Sequence, residues 1–251
     1  MLAEIYLKRI NYSGNIEPTI ETLNKIHTQH LLNVPFENID IHIKKPLNLS
    51  KNRLYDKIVL NNRGGICYEL NGLFFHLLKF LKFNTRIISG RVFDEINGYG
   101  PNYDHLALIV TIEESEYLVD VGFGEFSLTP IKIEPSEKDF NHTFSIDKYE
   151  GYYRVLKKTK WSIKPLYIFK RERQKISDFF EMSLFHQTSS ESKFTKKLLI
   201  TIKTLEGRNT ITNKTYISKS NGNVIKEEIK TLTSFLEKLS DTFNIPNISL
   251  S

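Results

Sequence analysis

The only cysteine of the chain, Cys67, stands two residues after a glycine pair in the stretch RGGICYELN. Gly64 and Gly65 can adopt backbone angles that other residues resist, so they permit a sharp entry into the helix that the following apolar residues predict. In the first turn of that helix, unpaired N–H groups and the helix dipole favour a thiolate and would stabilise an oxyanion. Free cysteines are more often buried as small hydrophobes, so a core role is the alternative.

A nucleophilic thiol needs a base, and the base needs a group that orients it. His105 opens the run HLALIVTI, and Asp120 lies in the next run, EYLVDVGF. Because side chains alternate along strands, an even-numbered turn between these runs places both residues on one face of a hairpin. A two-residue turn at Ile112 and Glu113 would set them opposite each other, whereas a turn two residues later would separate them. On spacing alone, two unrelated polar residues at strand ends are an equal alternative.

The remaining histidines offer no comparable arrangement. His27 and His30 stand three residues apart on a predicted helix, but no nearby carboxylate completes a metal-ligand set, and packing is the better interpretation. His76 lies inside an apolar stripe, and no partner is visible for His42, His142 and His186. The signatures of serine hydrolases, zinc proteases, P-loop proteins, dinucleotide-binding folds, caspases and papain-like proteases are absent. Thiol-based acyl transfer or hydrolysis is the reaction class whose parts are all present.

Length and composition indicate a soluble globular protein, since 251 residues with 40% hydrophobic content can bury a sizeable core. The N-terminal residues lack the uninterrupted apolar region of a signal peptide, and no stretch approaches the roughly 20 apolar residues that cross a bilayer. We therefore expect a cytoplasmic protein without a membrane partner. The net charge of +6 suits an anionic ligand, but the Lys and Arg residues are scattered, which argues against nucleic acid.

The spacing of apolar residues predicts helices over the first third of the chain. Pro18 suits the first turn of a helix whose apolar residues recur every three to four positions as far as Leu31. A second and wider apolar stripe runs from Cys67 to Leu81, and Asn84 can close that helix. The width of the stripe predicts a central helix that is covered on most sides.

After these helices the period changes to short runs rich in β-branched and aromatic residues, which predict antiparallel strands to about residue 170. The runs are TRIISGRVF, HLALIVTI, YLVDVGF, GYYRVLKKT and IKPLYIFK. Residues 175 to 187 are predicted to be helical, and KKLLITIKTL and NTITNKTYIS are predicted to form a hairpin around Glu206 to Arg208. Residues 224 to 243 carry apolar residues at helical spacing. Helices, then strands, then a smaller mixed segment are typical of an α+β architecture.

In several separate places the sequence resembles the arylamine N-acetyltransferase family. RGGICYELN is similar to the family's active-site signature, and VPFENI at 34 to 39, His105 and DVGFG at 120 to 124 agree with it in order and spacing. The resemblance extends from about residue 5 to residue 210. It implies a core like that of cysteine proteases and transglutaminases, in three parts: an N-terminal helical bundle over 1–84, an antiparallel β-barrel-like middle over 85–190, and a small α/β lid over 191–251.

The resemblance also implies a mechanism. Cys67 would be the nucleophile, His105 the base that forms a reactive ion pair with it, and Asp120 the group that orients the imidazole. The implied reaction is ping-pong: acetyl-CoA acetylates the cysteine, CoA leaves, and an unprotonated arylamine or hydrazine takes up the acetyl group. No metal is implied, and a monomer or weak homo-oligomer is expected. The rival hypotheses are a related thiol acyltransferase, an amide synthase or a hydrolase on the same scaffold, and a binding module in which Cys67 is only core.

Further contacts around the cysteine are implied by the same resemblance. Arg63 is expected to pair with Glu37 and hold the signature loop, and this chain has Asp40 where many members of the family have asparagine. An aromatic wall that suits a flat amine is expected from Phe36, Phe123 and Gly124. Contacts with CoA are expected from the loop before the histidine and from the lid hairpin, at Asn102, Thr204 and Gly207.

Overall fold

The structure is a computed structural model that describes residues 3–134, 143–246 and 248. His142 lies outside the described residues, and so do the last residues of the predicted lid. In the described ranges, no helix combines the length and the apolar character needed to cross a membrane.

Helices dominate the chain up to residue 80, as the apolar spacing predicts. The elements of this part are α1 (Ala3–Arg9), α2 (Ile20–Asn33), the short strand β1 (Phe36–Glu37), α3 (Ile39–His42), α4 (Lys51–Tyr55) with a π-helical turn over Asp56–Leu60, and α5 (Cys67–Phe80). Thr19 caps α2 by accepting a hydrogen bond from the N–H of Thr22. The expectation that Asn84 closes α5 is wrong: Lys82 ends the helical path with a left-handed backbone, φ 64°, and Asn84 already begins a strand.

The middle of the chain forms a strongly curved antiparallel sheet. Its strands are β2 (Asn84–Asp94), β3 (Gly98–Tyr99), β4 (His105–Ile112), β5 (Ser115–Val119), β6 (Ile131–Lys132), β7 (Phe144–Tyr149), β8 (Tyr152–Lys158) and β9 (Ile163–Phe169). In the described part of the chain their order is β6, β5, β4, β2, β9, β8, β7, with β3 paired to β2. The edge strands β6 and β7 approach each other, so the sheet nearly closes into a barrel.

The last part of the chain adds helices and a second antiparallel sheet. Its elements are a 3₁₀ turn (Ile176–Phe179), α6 (Phe180–Thr188), α7 (Lys193–Lys196), β10 (Leu199–Lys203), β11 (Gly207–Thr212), β12 (Thr215–Ser220), β13 (Asn223–Glu228) and α8 (Leu232–Phe243). The predicted hairpin is confirmed as β10 and β11. Strand β1 joins the free edge of β10, with Phe36 opposite Thr201, so an N-terminal segment completes the C-terminal sheet.

Two predictions for this last part are wrong. NTITNKTYIS is two strands rather than one, because Asn213 adopts a left-handed backbone (φ 50°) and the chain turns back on itself. The helical spacing over 224 to 243 holds only from Leu232, where Thr231 accepts the N–H of Ser234 and caps α8. Before that, β13 pairs with β12 along its length, and backbone pairing with a neighbouring strand decides its conformation.

The two faces of β4 pack against different cores. Leu106, Leu108 and Val110 belong to the core shared with the helical bundle, whereas Ala107 and Ile109 belong to the core inside the barrel. This alternation is the two-residue period of a strand that is covered on both faces. The bundle and the barrel therefore share a core across the predicted boundary at 84/85. The division of the chain into three parts, at 84/85 and 190/191, stays a prediction.

Candidate active site

The loop that leads into α5 lies tightly against the chain that precedes it. A Cβ atom on Gly64 would stand 2.0 Å from the backbone oxygen of Pro35, so only glycine fits there. At the start of the helix, Glu69 accepts a hydrogen bond from the N–H of Ile66 at 3.0 Å. The glycine pair and this cap therefore start the helix at Cys67, as the sequence predicts.

A network of buried charged side chains holds this loop in place. Arg63 donates to Glu37 through Nε and Nη2 at 3.0 and 2.7 Å, the pairing that the family resemblance implies. Its Nη2 also donates to Asp40 at 2.9 Å, so the guanidinium binds two carboxylates. Lys57 binds Asp40 at 2.9 Å and Glu69 at 2.8 Å. Burial opposes the charge on Arg63, but Glu37 and Asp40 outweigh it and raise its pKa.

Replacing Arg63 with methionine is expected to lower the free energy of unfolding by about 3–5 kcal/mol, because the two carboxylates that it binds would stay buried with only Lys57. Urea titration measures this loss. Lys164→Met is the matched control: Lys164 pairs with Glu95 at 3.2 Å on the exposed surface, and its loss should cost less than about 1 kcal/mol. Equal losses in both variants would contradict a structural role for the buried network.

Cys67 is 3% exposed and lies in the first turn of α5, on the wall of a cavity. Gly122 packs directly against it, since a Cβ atom on Gly122 would stand 2.7 Å from the Cα of Cys67. In any α-helix the first-turn N–H groups, here those of Cys67 and Tyr68, have no partner four residues earlier. The sulfur therefore lies where the positive end of a helix favours negative charge.

Strands β4 and β5 bring His105 and Asp120 into contact. Ile112 pairs with Ser115, so the two-residue turn consists of Glu113 and Glu114. This turn comes one residue later than the turn that would set His105 and Asp120 directly opposite each other. Asp120 lies just beyond the end of the ladder, diagonal to His105 on the same face of the sheet. The distance from His105 Nε2 to Asp120 Oδ2 is 2.6 Å. The prediction of a shared face is therefore confirmed, and the contact is diagonal.

Hydrogen-bond donors surround the carboxylate of Asp120. Its Oδ2 accepts from His105 and from the hydroxyl of Tyr167, the latter at 2.9 Å. Its Oδ1 accepts from the side chain of Asn71 at 2.9 Å and from the backbone N–H groups two and three residues further along, at 3.0 and 2.9 Å. Burial would raise the pKa of Asp120, but His105 and these donors outweigh it and lower the pKa. The carboxylate is therefore ionised and held in one orientation.

The imidazole of His105 is held between the carboxylate and the thiol. Burial would lower its pKa, but Asp120 and a hydrogen bond with Cys67 together raise it to about 10. Because Asp120 binds Nε2, Nδ1 is the ring nitrogen left for the sulfur. The ring packs against Phe123 and Tyr167, with centroid distances of 5.3 and 4.9 Å. The imidazole is therefore protonated at neutral pH, as an ion pair with the sulfur requires.

The charge on His105 makes the stability of the fold depend on pH. Its pKa rises from 6.5 to about 10 on folding, so the protonated ring stabilises the fold fully below pH 6.5 and less as the pH approaches 10. The difference in free energy of unfolding between the wild type and His105→Gln should therefore shrink across this window. Urea titrations at several pH values measure it. A difference that grows with pH would contradict the direction of the shift.

Cys67 and His105 face one cavity of about 720 Å³. The three residues expected at the acceptor pocket, Phe36, Phe123 and Gly124, lie in its lining. A larger groove of about 1090 Å³ reaches the buried ionic network and, among the described residues, includes neither Cys67 nor His105 in its lining. The smaller cavity is therefore the candidate site.

The residues expected to contact CoA lie just outside this cavity. Among the described residues, its lining includes neither Asn102, Thr204 nor Gly207, but it does include the neighbours Pro101 and Arg208. Thr204 and Gly207 form the turn between β10 and β11, where each N–H donates to the carbonyl oxygen of the other. The structure therefore brings Cys67, His105 and Asp120 together beside the residues expected to form the acceptor wall, and it places the three residues expected to contact CoA at the margin of the cavity.

Three side chains at the site were missed from the sequence. Asn71 lies four residues after Cys67, on the same face of α5, and this helical spacing was a signal that could have found it. Tyr167 comes from β9, and no pattern in the sequence ties it to Asp120. His186 lies on the cavity wall with its Nε2 3.1 Å from Asp104 Oδ1, a pair that tertiary contact alone creates.

The predicted helix α2 places His27 and His30 in the interior. Both rings are fully buried. In the described ranges of the chain, no group of three His, Cys, Asp or Glu side chains is arranged to hold a metal ion.

A helical bundle whose central helix begins with a cysteine, packed on an antiparallel barrel that presents a His–Asp pair to it, defines a protein of the cysteine-protease-like fold. A thiol in this setting is suited to acyl transfer. The model of an N-acetyltransferase family matches residues 19–248. The chain belongs to the arylamine N-acetyltransferase family.

Named relatives and solved structures agree with this assignment. The chain is 31% identical to arylamine N-acetyltransferase, pineal gland isozyme NAT-10, of Gallus gallus, over 98% of this chain and 94% of that protein. It is also 31% identical to the arylamine N-acetyltransferase of Escherichia coli (strain K12), over 88% and 80% respectively. The Mycobacterium marinum arylamine N-acetyltransferase in complex with CoA is similar in structure, with a TM-score of 0.89 at 27% identity over 97% of this chain and 92% of that one.

Proposed function

We propose that the protein transfers an acetyl group from acetyl-CoA to an arylamine or hydrazine through an acetyl-Cys67 intermediate. The observation that carries the proposal is the contact of Cys67, His105 and Asp120 at one cavity, with the imidazolium beside both sulfur and carboxylate. Membership of the arylamine N-acetyltransferase family supports the same reaction.

In the first half-reaction the thiolate of Cys67 attacks the carbonyl carbon of the acetyl thioester. The negative charge that develops on oxygen lies near the first-turn N–H groups of α5, which can donate to it. The bond from carbon to the sulfur of CoA then breaks, and the proton of the His105 imidazolium passes to that sulfur. Acetyl-cysteine, neutral imidazole and CoA thiol result.

In the second half-reaction an unprotonated amine attacks the acetyl-cysteine. The neutral His105 accepts the proton that the amine nitrogen loses as the new amide bond forms. The sulfur of Cys67 leaves as thiolate, so the ion pair is restored and each proton is accounted for. Asp120 holds the imidazole in the tautomer that both steps require.

The acceptor wall proposed for the amine is aromatic. Phe123 contacts the ring of His105, and Phe36 packs against Phe194 with a centroid distance of 5.8 Å, and all three phenylalanines lie in the lining of the cavity. Gly124 lies in the same lining, where its nearest side chains are those of Arg208 and Thr201. A flat ring that enters beside these phenylalanines brings its amino group to the acetyl-cysteine.

Positive charges beside the cavity suit the phosphates of acetyl-CoA. Arg208 and Lys219 lie in the lining. Nearby, burial lowers the pKa of Lys203 to about 8, and Arg208 and Lys157 add to this effect, as expected for cations gathered without enough anions. Asn102, Thr204 and Gly207 remain proposed contacts for the part of CoA that extends beyond the cavity.

Arg208→Met is expected to raise the KM for acetyl-CoA about tenfold while kcat changes little, because a guanidinium that binds phosphate acts on affinity rather than on the acyl-transfer step. Initial rates at varied acetyl-CoA measure this effect. Lys226→Met removes the same charge from an exposed position on β13 and should leave KM unchanged. Equal increases in both variants would point to overall charge and count against a phosphate site at Arg208.

Intact mass spectrometry tests the proposed reaction. The protein incubated with acetyl-CoA and no amine should gain one acetyl group, and aniline or a hydrazine should then remove it. If folded protein gains no acetyl group, the proposal fails. If water removes the group as fast as the amine does, the hydrolase hypothesis replaces it.

The setting that we propose is a cytoplasmic enzyme that acts on small molecules, as a monomer or weak homo-oligomer, without a nucleic-acid or membrane partner. The modest net charge and the absence of an apolar span in the sequence support this setting.

A further inference from the structure

His27, on α2, contacts both ends of the loop that carries the triad carboxylate. The backbone N–H of Asp120 donates to its Nε2 at 3.3 Å, and its Nδ1 lies 2.8 Å from the carbonyl oxygen of Leu128. The hydroxyl of Thr28 donates to the same carbonyl at 2.9 Å. A single turn of α2 is therefore bound to both ends of the segment from residue 120 to residue 128.

The two partners determine the tautomer of His27. A backbone N–H can only donate, so Nε2 must carry the lone pair, and a carbonyl can only accept, so Nδ1 must carry the proton. Burial lowers the pKa of the ring to about 4, against smaller opposing effects of the Leu128 carbonyl and Asp120, so the neutral form persists at neutral pH. The ring is also packed against Phe74 and Phe126, with centroid distances of 6.4 and 6.1 Å.

The next histidine of the helix provides a contrast. His30 is equally buried, but neither of its ring nitrogens has a hydrogen-bond partner among the described residues. The paired contacts of His27 are therefore not a general property of imidazoles in this core.

We propose that His27 is a positioning residue, which fixes the loop from Asp120 to Leu128 so that the carboxylate meets His105 and the acceptor wall at Phe123 keeps its place. The loop follows the end of β5, where the ladder no longer holds it. The neutral imidazole accepts a hydrogen bond at one end of the loop and donates one at the other. These two bonds replace the backbone pairing that the ladder no longer provides. The expected effect of His27 on turnover rests on the proposed function. Its expected effect on the reactivity of the Cys67 thiol does not, because that reactivity is measured without acetyl-CoA.

Two substitutions separate the two contacts. The amide of His27→Gln reaches the place of Nε2 and can accept from the N–H of Asp120, whereas the amide of His27→Asn reaches only the place of Nδ1 and can donate to Leu128. Each variant loses one of the two contacts, and asparagine, one methylene shorter than glutamine, also loses slightly more packing. His30→Leu serves as the control for replacing a buried imidazole on the same helix.

The readouts are the melting temperature, kcat for acetyl transfer, and the rate of Cys67 alkylation by iodoacetamide across pH. We expect a slightly lower melting temperature for His27→Asn than for His27→Gln, but a loss of kcat of roughly 10²-fold in His27→Asn and less than tenfold in His27→Gln. Alkylation near neutral pH should slow by roughly tenfold in His27→Asn alone. His30→Leu should resemble the wild type in both activity measures.

Equal losses of activity in the two His27 variants, or losses that follow melting temperature with an unchanged alkylation profile, would overturn the proposal in favour of simple packing. If His27→Asn does not fold, His27→Met, which fills the space without either hydrogen bond, takes its place with the same expected result. Because alkylation needs no acetyl-CoA, wild-type protein that alkylates normally but gains no acetyl group would refute the proposed function and leave this test intact.

Discussion

Replacing Cys67 with serine is expected to abolish the gain of an acetyl group from acetyl-CoA and to reduce turnover of an arylamine by about 10⁴-fold or more. A serine hydroxyl is a far weaker acid than a thiol, so it cannot form the ion pair with His105 on which the attack depends. The smaller oxygen fits beside Gly122, where the neighbouring backbone lies against the helix start. Intact mass spectrometry and initial rates measure the two effects.

The fold of the Cys67→Ser variant should be retained, with a change in the free energy of unfolding of no more than about 1 kcal/mol. Circular dichroism and urea titration provide this control. A folded variant that still gains an acetyl group would show that another side chain is the nucleophile. Labelled peptides from the wild type, mapped to a residue other than Cys67, would lead to the same conclusion.

Replacing Asp120 with asparagine is expected to reduce turnover by roughly 10⁴-fold, the scale at which the corresponding change acts in Ser-His-Asp enzymes. The amide oxygen can keep the donors on Oδ1, which include Asn71. The amide nitrogen then faces Nε2 of His105 and donates to it, so the proton of the neutral ring moves to Nδ1. An Nδ1 that already carries a proton cannot take one from the thiol or the amine.

Tyr167→Phe is the matched control for this prediction, because it removes another partner of Asp120 Oδ2 without changing the tautomer of His105. Its turnover should fall less than tenfold, which is the cost of one hydrogen bond. Alkylation of Cys67 by iodoacetamide near neutral pH should slow strongly in Asp120→Asn and little in Tyr167→Phe. Similar rates in both variants would contradict the tautomer mechanism.

Local patterns predict much of the site. Two glycines before an apolar stripe predict Cys67 at a helix start, because helix entry and the 3.6-residue period depend on neighbours in sequence. The two-residue period of strands predicts that His105 and Asp120 share a face, and any even-numbered turn satisfies it. Those inferences need no knowledge of what the helix or the strands pack against.

Long-range contacts decide what these patterns leave open. The turn between β4 and β5 set the diagonal register of His105 and Asp120, and Tyr167 reached the carboxylate only because β9 pairs with β2 in the same barrel. Likewise, β13 became a strand through pairing with β12, although it lies within the stretch 224 to 243 that was predicted to be helical. Register and pairing between distant segments depend on the packing of the whole chain, which periodicity in one segment does not encode.

By itself, the sequence predicted a single thiol at a helix start and a histidine and an aspartate that can share one face of a hairpin. Only the tertiary structure decided how the three meet: Asn71 and Tyr167 hold the carboxylate, and Arg208 lies beside the cavity. The reason is physical. The thiol's position follows from local backbone geometry, whereas the orientation of each partner depends on hydrogen bonds between segments far apart in sequence.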